Sequence, residues 1–143
     1  MNEIALEKLR HDGQRYTTGR RAVLQTLAEV ASPVTIPMIL HRQPDLAQSS
    51  VYRNLAVLES AGLVTKISMG DEHAHYELAE ELTQHHHHHL VCTGCGTVGD
   101  VTLSPTVERA LDKALAQAAA ASSFQLHDHR LDLLGLCAAC SDA

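Results

Sequence analysis

Two Cys-x-x-Cys pairs constrain this chain more than any other feature of its sequence. Cys92 and Cys95 form the first pair, Cys137 and Cys140 form the second, and residues 96–136 separate them. Two thiolates at this spacing reach one tetrahedral ion, and two such pairs complete a four-sulfur shell. The alternatives are redox dithiols or free buried cysteines, but no thioredoxin-like βαβ pattern surrounds either pair. We therefore predict a structural zinc site that ties the end of the chain to its middle.

A run of five histidines, 85–89, leads directly into the first cysteine pair. Successive side chains on an extended strand point to opposite faces. If the run is extended, His86 and His88 share one face. His87 and His89 then share the other, so that one strand supplies two different metal sites. The alternative is a solvated polar tract that binds metal only adventitiously.

Each of these two sites would need further ligands, and suitable side chains occur on both sides of the run. They are Asp100, Glu108, His127 and His129 after it, and His73, His75 and Glu77 before it. Neutral imidazole suits zinc, iron, nickel and copper, while added carboxylates favour iron or manganese. The residue types alone therefore leave the metal open.

Charge is distributed unevenly along the chain, whose formal net charge is −6. Residues 8–66 carry eight Lys or Arg against four acids, whereas residues 67–143 carry three against eleven. This asymmetry is typical of a basic nucleic-acid module joined to an acidic module with another role. The alternative is a chance scatter of charges over one domain.

The order of predicted elements in the first half is typical of a winged helix-turn-helix. Helical spacing predicts helices over 18–30 and 36–42, with Thr17 or Thr18 and then Thr35 as N-caps, and a third run after Asp45 that ends at Gly62. A change to β-rich sequence predicts strands 63–68 and 74–78 around a turn at Gly70 and Asp71. In such a fold the last helix enters the major groove and the hairpin lies against the DNA backbone.

The second half predicts a small α/β unit after a polar hinge. We expect strands at 88–91, 97–101 and 124–136, and a helix that Ser104 caps and Pro105 starts, with an apolar stripe at Val107, Leu111, Leu115 and Ala118. This half has little core of its own, and a second copy would supply the shortage. The predicted fold is therefore α+β: a winged-helix domain at 1–78, a hinge at 79–84 and a metal-binding dimerisation domain at 85–143.

The sequence also excludes several classes of protein. No apolar run approaches the roughly 20 residues that a bilayer span needs, and Met1-Asn2-Glu3 lacks the hydrophobic stretch of a secretory signal. A zinc enzyme keeps an open metal position, but the four-cysteine shell is closed and the sequence has no HExxH motif. We expect a cytoplasmic protein with no membrane partner, no small-molecule substrate and no enzymatic activity.

The basic half contains candidate DNA contacts. Those at the start of the third helix, where side chains reach base edges and phosphates, are Ser49, Ser50, Tyr52 and Arg53. Arg15, Arg20 and Arg21 are candidates for phosphate contacts, and Tyr16 for packing on the sugar backbone. For Tyr52, packing into the core beside Val51 and Leu55 is an equal alternative.

Taken together, these motifs resemble the ferric uptake regulator (Fur) family of metal-dependent bacterial repressors. The resemblance covers nearly the whole chain and rests on RYTTGRR at 15–21, SVYRNL at 50–55, GLV at 62–64, YEL at 76–78, HHHHHLVCTGCG at 85–96, and the closing Cys137 and Cys140. It implies a homodimeric repressor that binds palindromic operator DNA when a sensing metal is bound.

The resemblance also implies three metal sites. The cysteine site is Cys92, Cys95, Cys137 and Cys140, and holds structural zinc. The Glu108 site, in the dimerisation domain, is His86, His88, Glu108 and His129. The Glu77 site, which senses metal next to the hinge, is Glu77, His87, His89 and Asp100, with His75 as a further candidate. Zinc, iron, manganese or nickel would occupy the two regulatory sites, and zinc is favoured.

Two departures from the family pattern affect the Glu77 site. Many iron-sensing members carry a His between the first two helices, where this chain has Ala31-Ser32-Pro33, and the hinge Cys of actinobacterial zinc-sensing members corresponds to Ala79. His73, His75, Glu80 and Glu81 are candidates to fill the gap. An iron- or peroxide-sensing regulator is one alternative function, and a metal-storage protein or metallochaperone is another, although the latter leaves the basic half unexplained.

Overall fold

The computed structural model describes residues 1–67 and 74–142. In this part of the chain the elements follow in the order α1 (Asn2–His11), α2 (Thr18–Val30), α3 (Ile36–Arg42), α4 (Gln48–Ser60), β1 (Val64–Ile67), β2 (His75–Leu78), α5 (Glu80–Thr83), β3 (His88–Cys92), β4 (Val98–Val101), α6 (Pro105–Ala121), β5 (Asp132–Gly135) and α7 (Ala138–Ser141). This order confirms an α+β fold in which a helical winged-helix half precedes a smaller α/β half.

The residues predicted to cap the helices of the first half make the contacts, or adopt the backbone conformation, that a cap requires. The Thr17 hydroxyl accepts a hydrogen bond from the Arg20 N–H at 3.3 Å, and the Thr35 hydroxyl accepts one from the Met38 N–H at 3.4 Å. Each bond satisfies an N–H group that the first turn leaves without a partner. After α4, Gly62 adopts a φ of +73°, which glycine reaches without steric cost.

An additional helix, α1, precedes the three that we predicted. It buries Ala5 and Leu9 completely in the core of the first half, in one cluster with buried residues of α2, α3 and α4. The hairpin closes this core: Val64 lies opposite Leu78 in the antiparallel pair β1–β2, and Val34 and Tyr76 exchange backbone hydrogen bonds of 2.9 and 2.7 Å. The predicted turn at Gly70 and Asp71 lies outside the described residues.

The hinge is more structured than the sequence predicted. Instead of an irregular polar linker, residues 80–83 form the short helix α5, which ends at Gln84 in the left-handed conformation. Leu82 packs against the core of the first half and so fixes the helix in place.

The second half is a three-stranded sheet with β3 in the centre. β3 pairs antiparallel with β4, which sets His89 opposite Asp100, and parallel with β5, which sets His89 opposite Asp132. The predicted final strand at 124–136 is too long, because only β5 at 132–135 pairs with β3. α6 begins as predicted, with the Ser104 hydroxyl accepting from the Val107 N–H, and α7 follows Cys137 at the end of the chain.

The helices of the described ranges, 1–67 and 74–142, are all too short or too polar to cross a membrane.

Candidate metal centres

The first candidate centre is the cysteine site, where the sheet brings the two ends of the second half together. β3 ends at Cys92, and β5 runs parallel to it and leads to Cys137. The four Sγ atoms lie within 4.8 Å of one another, and those of Cys95 and Cys137 are 3.7 Å apart. A tetrahedral zinc ion with Zn–S bonds of about 2.3 Å sets its sulfur atoms about 3.8 Å apart. The spacing therefore fits a shared ion.

Backbone N–H groups prepare this site for thiolates. The N–H groups of Cys137 and Cys95 donate to Cys92 Sγ at 3.3 and 3.4 Å, and these bonds lower the pKa of Cys92 to about 6. Hydrogen bonds with the neighbouring thiols, that of Cys137 first, raise the pKa of Cys140 to about 12. Four adjacent thiols cannot all ionise without a cation between them, and zinc would supply that charge.

Gly94 is necessary for the close approach of the two cysteine pairs. A Cβ atom at this position would lie 3.0 Å from Cys140 Sγ and 3.2 Å from Cys140 Cβ. A side chain at position 94 would therefore crowd the second cysteine pair.

The second centre is the Glu108 site, on the face of β3 toward α6. Its ligand atoms, from His86, His88, Glu108 and His129, also lie within 4.8 Å of one another. Glu108, in the first turn of α6, hydrogen-bonds to His88 Nε2 through Oε1. Its Oε2 lies 3.5 Å from His86 Nε2 and 3.8 Å from His129 Nε2. Ligand atoms about 2.1 Å from a tetrahedral zinc ion are about 3.4 Å apart, so these spacings fit an ion.

Two nitrogen atoms of the Glu108 site are unsatisfied. His86 Nε2 and His129 Nε2 are buried without a hydrogen-bond partner among the described residues. A buried polar atom without a partner costs free energy, and coordination of a cation would remove that cost. The opposite nitrogens have partners: His86 Nδ1 lies 3.0 Å from Glu80 Oε2, and His129 Nδ1 lies 3.5 Å from Asp112 Oδ1.

The third centre is the Glu77 site, on the other face of β3. Its four ligand atoms lie within 4.8 Å of one another. Glu77 bridges the two imidazoles, with Oε2 2.9 Å from His87 Nε2 and Oε1 2.7 Å from His89 Nε2. Asp100, opposite His89 in β4, lies 3.8 Å from His87 Nε2 and 4.0 Å from His89 Nε2 through Oδ1.

The Nδ1 atoms of the two histidines in the Glu77 site also have partners. His89 Nδ1 lies 3.3 Å from Asp132 Oδ1, and His87 Nδ1 lies 3.3 Å from the His85 carbonyl oxygen. Histidine metal ligands are commonly held in this way, with one ring nitrogen on an acceptor and the other on the ion. Both imidazoles therefore present Nε2 to the same point.

Charge coupling shifts the pKa values in this site in opposite directions. Burial lowers the pKa of His87 and of His89, but the hydrogen bonds and charge of Glu77 outweigh it and raise both above the ordinary value. Burial likewise raises the pKa of Glu77, but hydrogen bonds from His89 and His87 outweigh it and lower that pKa. Burial, with Glu77 nearby, raises the pKa of Asp100. Without metal, the site thus favours imidazolium paired with carboxylate.

The alternation predicted for the histidine run describes the structure, although regular pairing of β3 with its neighbours begins only at His88. His86 and His88 contribute to the Glu108 site, and His87 and His89 contribute to the Glu77 site. The regular strand therefore orients two of the four imidazoles, and the chain entering it orients the other two.

The remaining candidates fall elsewhere. His75 lies on β2 opposite Ile67 and is not among the four Glu77-site residues that cluster within the described ranges. Glu81 pairs with Lys8, and Glu80 contacts His86 rather than the Glu77 site. His127 lines the opening beside His86, and His73 lies outside the described residues. Sequence reasoning missed Glu80, Asp112 and Asp132 as partners of the ligand imidazoles, because their roles depend on contacts distant in sequence.

The DNA candidates on α4 are available at the surface. Ser49, Tyr52 and Arg53 are exposed and Ser50 is half-buried, all within the first two turns of the helix. Tyr52 is 54% exposed, so the alternative of core packing is wrong.

The candidates around the start of α2 have contacts within the chain. Arg20 donates from Nη1 to the Arg15 carbonyl oxygen, and the Arg15 side chain remains exposed. The Tyr16 hydroxyl donates to Asn2 Oδ1 at 2.7 Å, and the Arg21 guanidinium lies 4.7 Å from the centre of the Tyr16 ring. Tyr16 therefore connects α1 to the basic segment in addition to any role on DNA.

A winged helix-turn-helix half joined to an α/β half with three groups of metal-ligating side chains is the architecture of a metal-responsive regulator. The family model of the ferric uptake regulator family matches residues 11–134. The chain belongs to the ferric uptake regulator family.

Individual relatives cover almost the whole chain. The ferric uptake regulation protein of Campylobacter jejuni is 35% identical, over 98% of this chain and 90% of that protein. The peroxide operon regulator of Bacillus subtilis is 30% identical, over 96% of this chain and 91% of that protein. The crystal structure of the Vibrio cholerae ferric uptake regulator superposes with a TM-score of 0.68 at 29% identity, covering 92% of this chain and 98% of that one.

Proposed function

We propose that this chain is a homodimeric transcriptional repressor that binds a palindromic operator when its Glu77 site holds metal, and that it controls genes of metal uptake or homeostasis. The observation that carries this proposal is the position of Glu77. It lies on β2 of the winged-helix half, whereas His87, His89 and Asp100 lie on the run and strands of the second half. An ion held by all four residues joins the two halves.

Joining the halves provides a mechanism through linkage. Metal favours the arrangement in which all four ligands converge, and that arrangement sets the orientation of α4 in each subunit. If the same arrangement spaces the two α4 helices for successive half-sites of DNA, metal increases DNA affinity and DNA increases metal affinity by the same factor.

The second half supports a dimer, since its apolar surface is uncovered in a single chain. Leu133, Leu134 and Leu136 are 42%, 64% and 58% exposed, and the described residues of α6 include none that is buried. Exposed leucines in this number, together with an uncovered α6, need a partner surface. A second copy of the chain is the occupant that the palindromic operator requires.

Metal identity follows from the donor types. We propose structural zinc in the cysteine site, because four thiolates at tetrahedral spacing suit it. Zinc is also our choice for the regulatory sites, since the Glu108 site offers three imidazoles and one carboxylate. The Glu77 site offers two imidazoles and two carboxylates, which also suits iron and manganese. This donor set is the reason to retain an iron- or peroxide-sensing regulator as the second candidate.

Gel shift with and without metal tests the proposal. A palindromic duplex is first selected from a random DNA library with the zinc-loaded chain, and its affinity is then measured against buffered Zn²⁺, Fe²⁺, Mn²⁺ and Ni²⁺. We expect a chelator that leaves the cysteine site occupied to abolish specific DNA binding. At metal concentrations that only partly load the unaltered chain, we expect Glu77→Ala to abolish specific DNA binding as well. Glu7→Ala, an equal charge change at an exposed position of α1, is the matched control. Unchanged affinity after metal removal would refute metal sensing.

The metal-storage alternative makes a different prediction for salt. A repressor that contacts many phosphates loses affinity steeply as salt increases, because binding releases counterions. A storage protein would show no specific DNA binding at any salt concentration.

A further inference from the structure

The short helix α5 carries two adjacent carboxylates whose partners lie in different halves of the molecule. Glu80 reaches the second half, where its Oε1 and Oε2 lie 2.8 and 3.0 Å from His86 Nδ1. Glu81 reaches the first half, where its Oε2 lies 2.5 Å from Lys8 Nζ in α1. α5 therefore contacts both halves without contributing a ligand to the Glu77 site.

The attachment of α5 to the winged-helix half is the firmer of the two. Leu82 packs against the core of that half, and the Ala79 N–H donates to the Leu63 carbonyl oxygen at 2.9 Å. The Glu81–Lys8 pair adds a contact on the same side. α5 thus belongs to the winged-helix half, and Glu80 is its contact with the second half.

The contact of Glu80 determines how His86 is presented to the Glu108 site. When Nδ1–H donates to the carboxylate, the lone pair of Nε2 is available for an ion. His86 Nε2 is buried, lies 3.5 Å from Glu108 Oε2, and has no hydrogen-bond partner in the described part of the chain. An acceptor behind a ligand imidazole fixes its tautomer and ring orientation and makes it a better ligand.

We propose that α5 couples the Glu108 site to the winged-helix half, with Glu80 as the positioning residue for His86. Metal binding at the Glu108 site fixes the orientation of His86, and His86 in turn fixes the position of Glu80 through their hydrogen bond. Because Glu80 lies on α5, which packs on the winged-helix half, the metal restrains the position of that half. The Glu108 site then acts on DNA binding through a connection separate from Glu77. This inference rests on the proposed function, because it concerns a second metal input to the same regulator.

The first experiment measures the affinity of the Glu108 site with Zn²⁺ as the probe. A background with both Glu77→Ala and His87→Ala removes two of the four ligands of the other regulatory site. Exchangeable Zn²⁺ bound beyond the cysteine site then reports binding to the Glu108 site. We expect Glu80→Ala to weaken Zn²⁺ binding about 10- to 100-fold, as loss of an acceptor behind a ligand histidine does. Glu80→Gln keeps an oxygen that accepts from Nδ1–H and should recover part of the loss.

Glu81→Ala is the matched control for this measurement. It removes an equal charge from the adjacent position of α5, yet its partner is Lys8 rather than a ligand histidine. We expect its Zn²⁺ affinity to stay within about twofold of the background, since the contact is a partly exposed ion pair. Equal affinities for Glu80→Ala and the background would overturn the positioning role.

The second experiment separates coupling from affinity. In the otherwise unaltered chain, the gain in affinity for the selected duplex is measured at Zn²⁺ concentrations that saturate every site. If Glu80 affected only the affinity for metal, saturating Zn²⁺ would give Glu80→Ala the same gain in DNA affinity as the unaltered chain. We expect the gain to remain at least about twofold smaller, because the contact with α5 is still missing.

The outcomes distinguish this inference from the proposed function. If the unaltered chain shows no metal-dependent DNA binding, the proposed function fails. If it shows such binding and Glu80→Ala gains as much at saturation, only the coupling through α5 fails.

Discussion

The two halves of this molecule are stabilised by different means. Among the described residues, 16 of the 18 buried apolar side chains lie in the winged-helix half, including Leu9, Leu55 and Leu78. In the second half, Val91 and Cys92 are the buried apolar residues of the described range, and His88 and His89 are buried beside them. One half thus has a conventional core, and the other places candidate ligand histidines where a core would be. We therefore expect the stability of the second half to depend on bound metal and on a partner.

The largest expected effect is the loss of zinc from the cysteine site. Structural zinc contributes about 10–16 kcal/mol in small zinc-binding peptides, far more than the few apolar residues of the second half contribute. We expect Cys140→Ser to remove backbone protection from β3, β4 and β5 while α2 and α4 keep theirs, as measured by hydrogen exchange. Ala139→Ser, at an exposed neighbouring position, should leave both halves protected. Equal loss in both halves would show that they unfold as one unit.

A substitution in the core of the winged-helix half should destabilise that half and leave the second half unchanged. Leu55 is completely buried in the winged-helix half, so Leu55→Ala should lower the free energy of unfolding of that half by about 2–5 kcal/mol. Zinc content of the cysteine site should not change. Tyr52→Ala, on an exposed part of the same helix, should change stability by less than about 0.5 kcal/mol and instead weaken DNA binding. Denaturant titration with metal analysis distinguishes these results.

The proposed dimer face should respond to a charge. Leu134 is 64% exposed in one chain, and Leu134→Asp should weaken dimerisation by about 2 kcal/mol or more, roughly 30-fold, if the residue lies at the centre of the interface. Analytical ultracentrifugation measures the change, and unaltered zinc content serves as the check on folding. A variant that remains fully dimeric at low concentration would place the interface elsewhere.

The most gradual expected effect concerns pH at the Glu77 site. Glu77 raises the pKa of His87 and His89 above the ordinary 6.5, and metal requires neutral imidazole. Metal affinity should therefore fall as pH decreases through the raised pKa, by up to about 1.4 kcal/mol per pH unit for each imidazole. In the metal-free chain the dependence on pH has the opposite sign. The raised histidine pKa values stabilise the folded state fully when the pH is below the unfolded histidine pKa, and this stabilisation is lost as the pH rises through the folded histidine pKa.

Competitive metal titration at several pH values measures this effect. Glu77→Gln removes the charge that raises both histidine pKa values, so the decline in affinity should begin at lower pH in that variant. A decline at the same pH in both proteins would contradict the role assigned to Glu77.

Most of the fold and much of the grouping of candidate metal ligands could be predicted from local sequence. Thr17, Thr35 and Ser104 act as caps because capping involves only the next three residues, and Gly62 ends α4 because the conformation is set at a single residue. The alternation of the histidine run follows from strand geometry at His88 and His89, and the chain entering β3 continues it at His86 and His87. α1 was missed because its apolar positions are few, and α5 was missed because polar residues over 80–83 do not distinguish a short helix from a linker.

What depended on tertiary structure was the pairing of residues that are distant in sequence. Strand geometry predicts that His86 and His87 diverge, and the family resemblance places Glu77 with His87, a contact that the structure has. Neither predicts that Glu80 supports His86, because the packing of α5 brings that carboxylate into place. Asp132 reaches His89 only through the parallel register of β5 with β3. Local patterns could thus indicate which side chains bind metal, since ligand chemistry belongs to the residue. Tertiary packing decided which half of the molecule each of these side chains contacts, because packing depends on the whole chain.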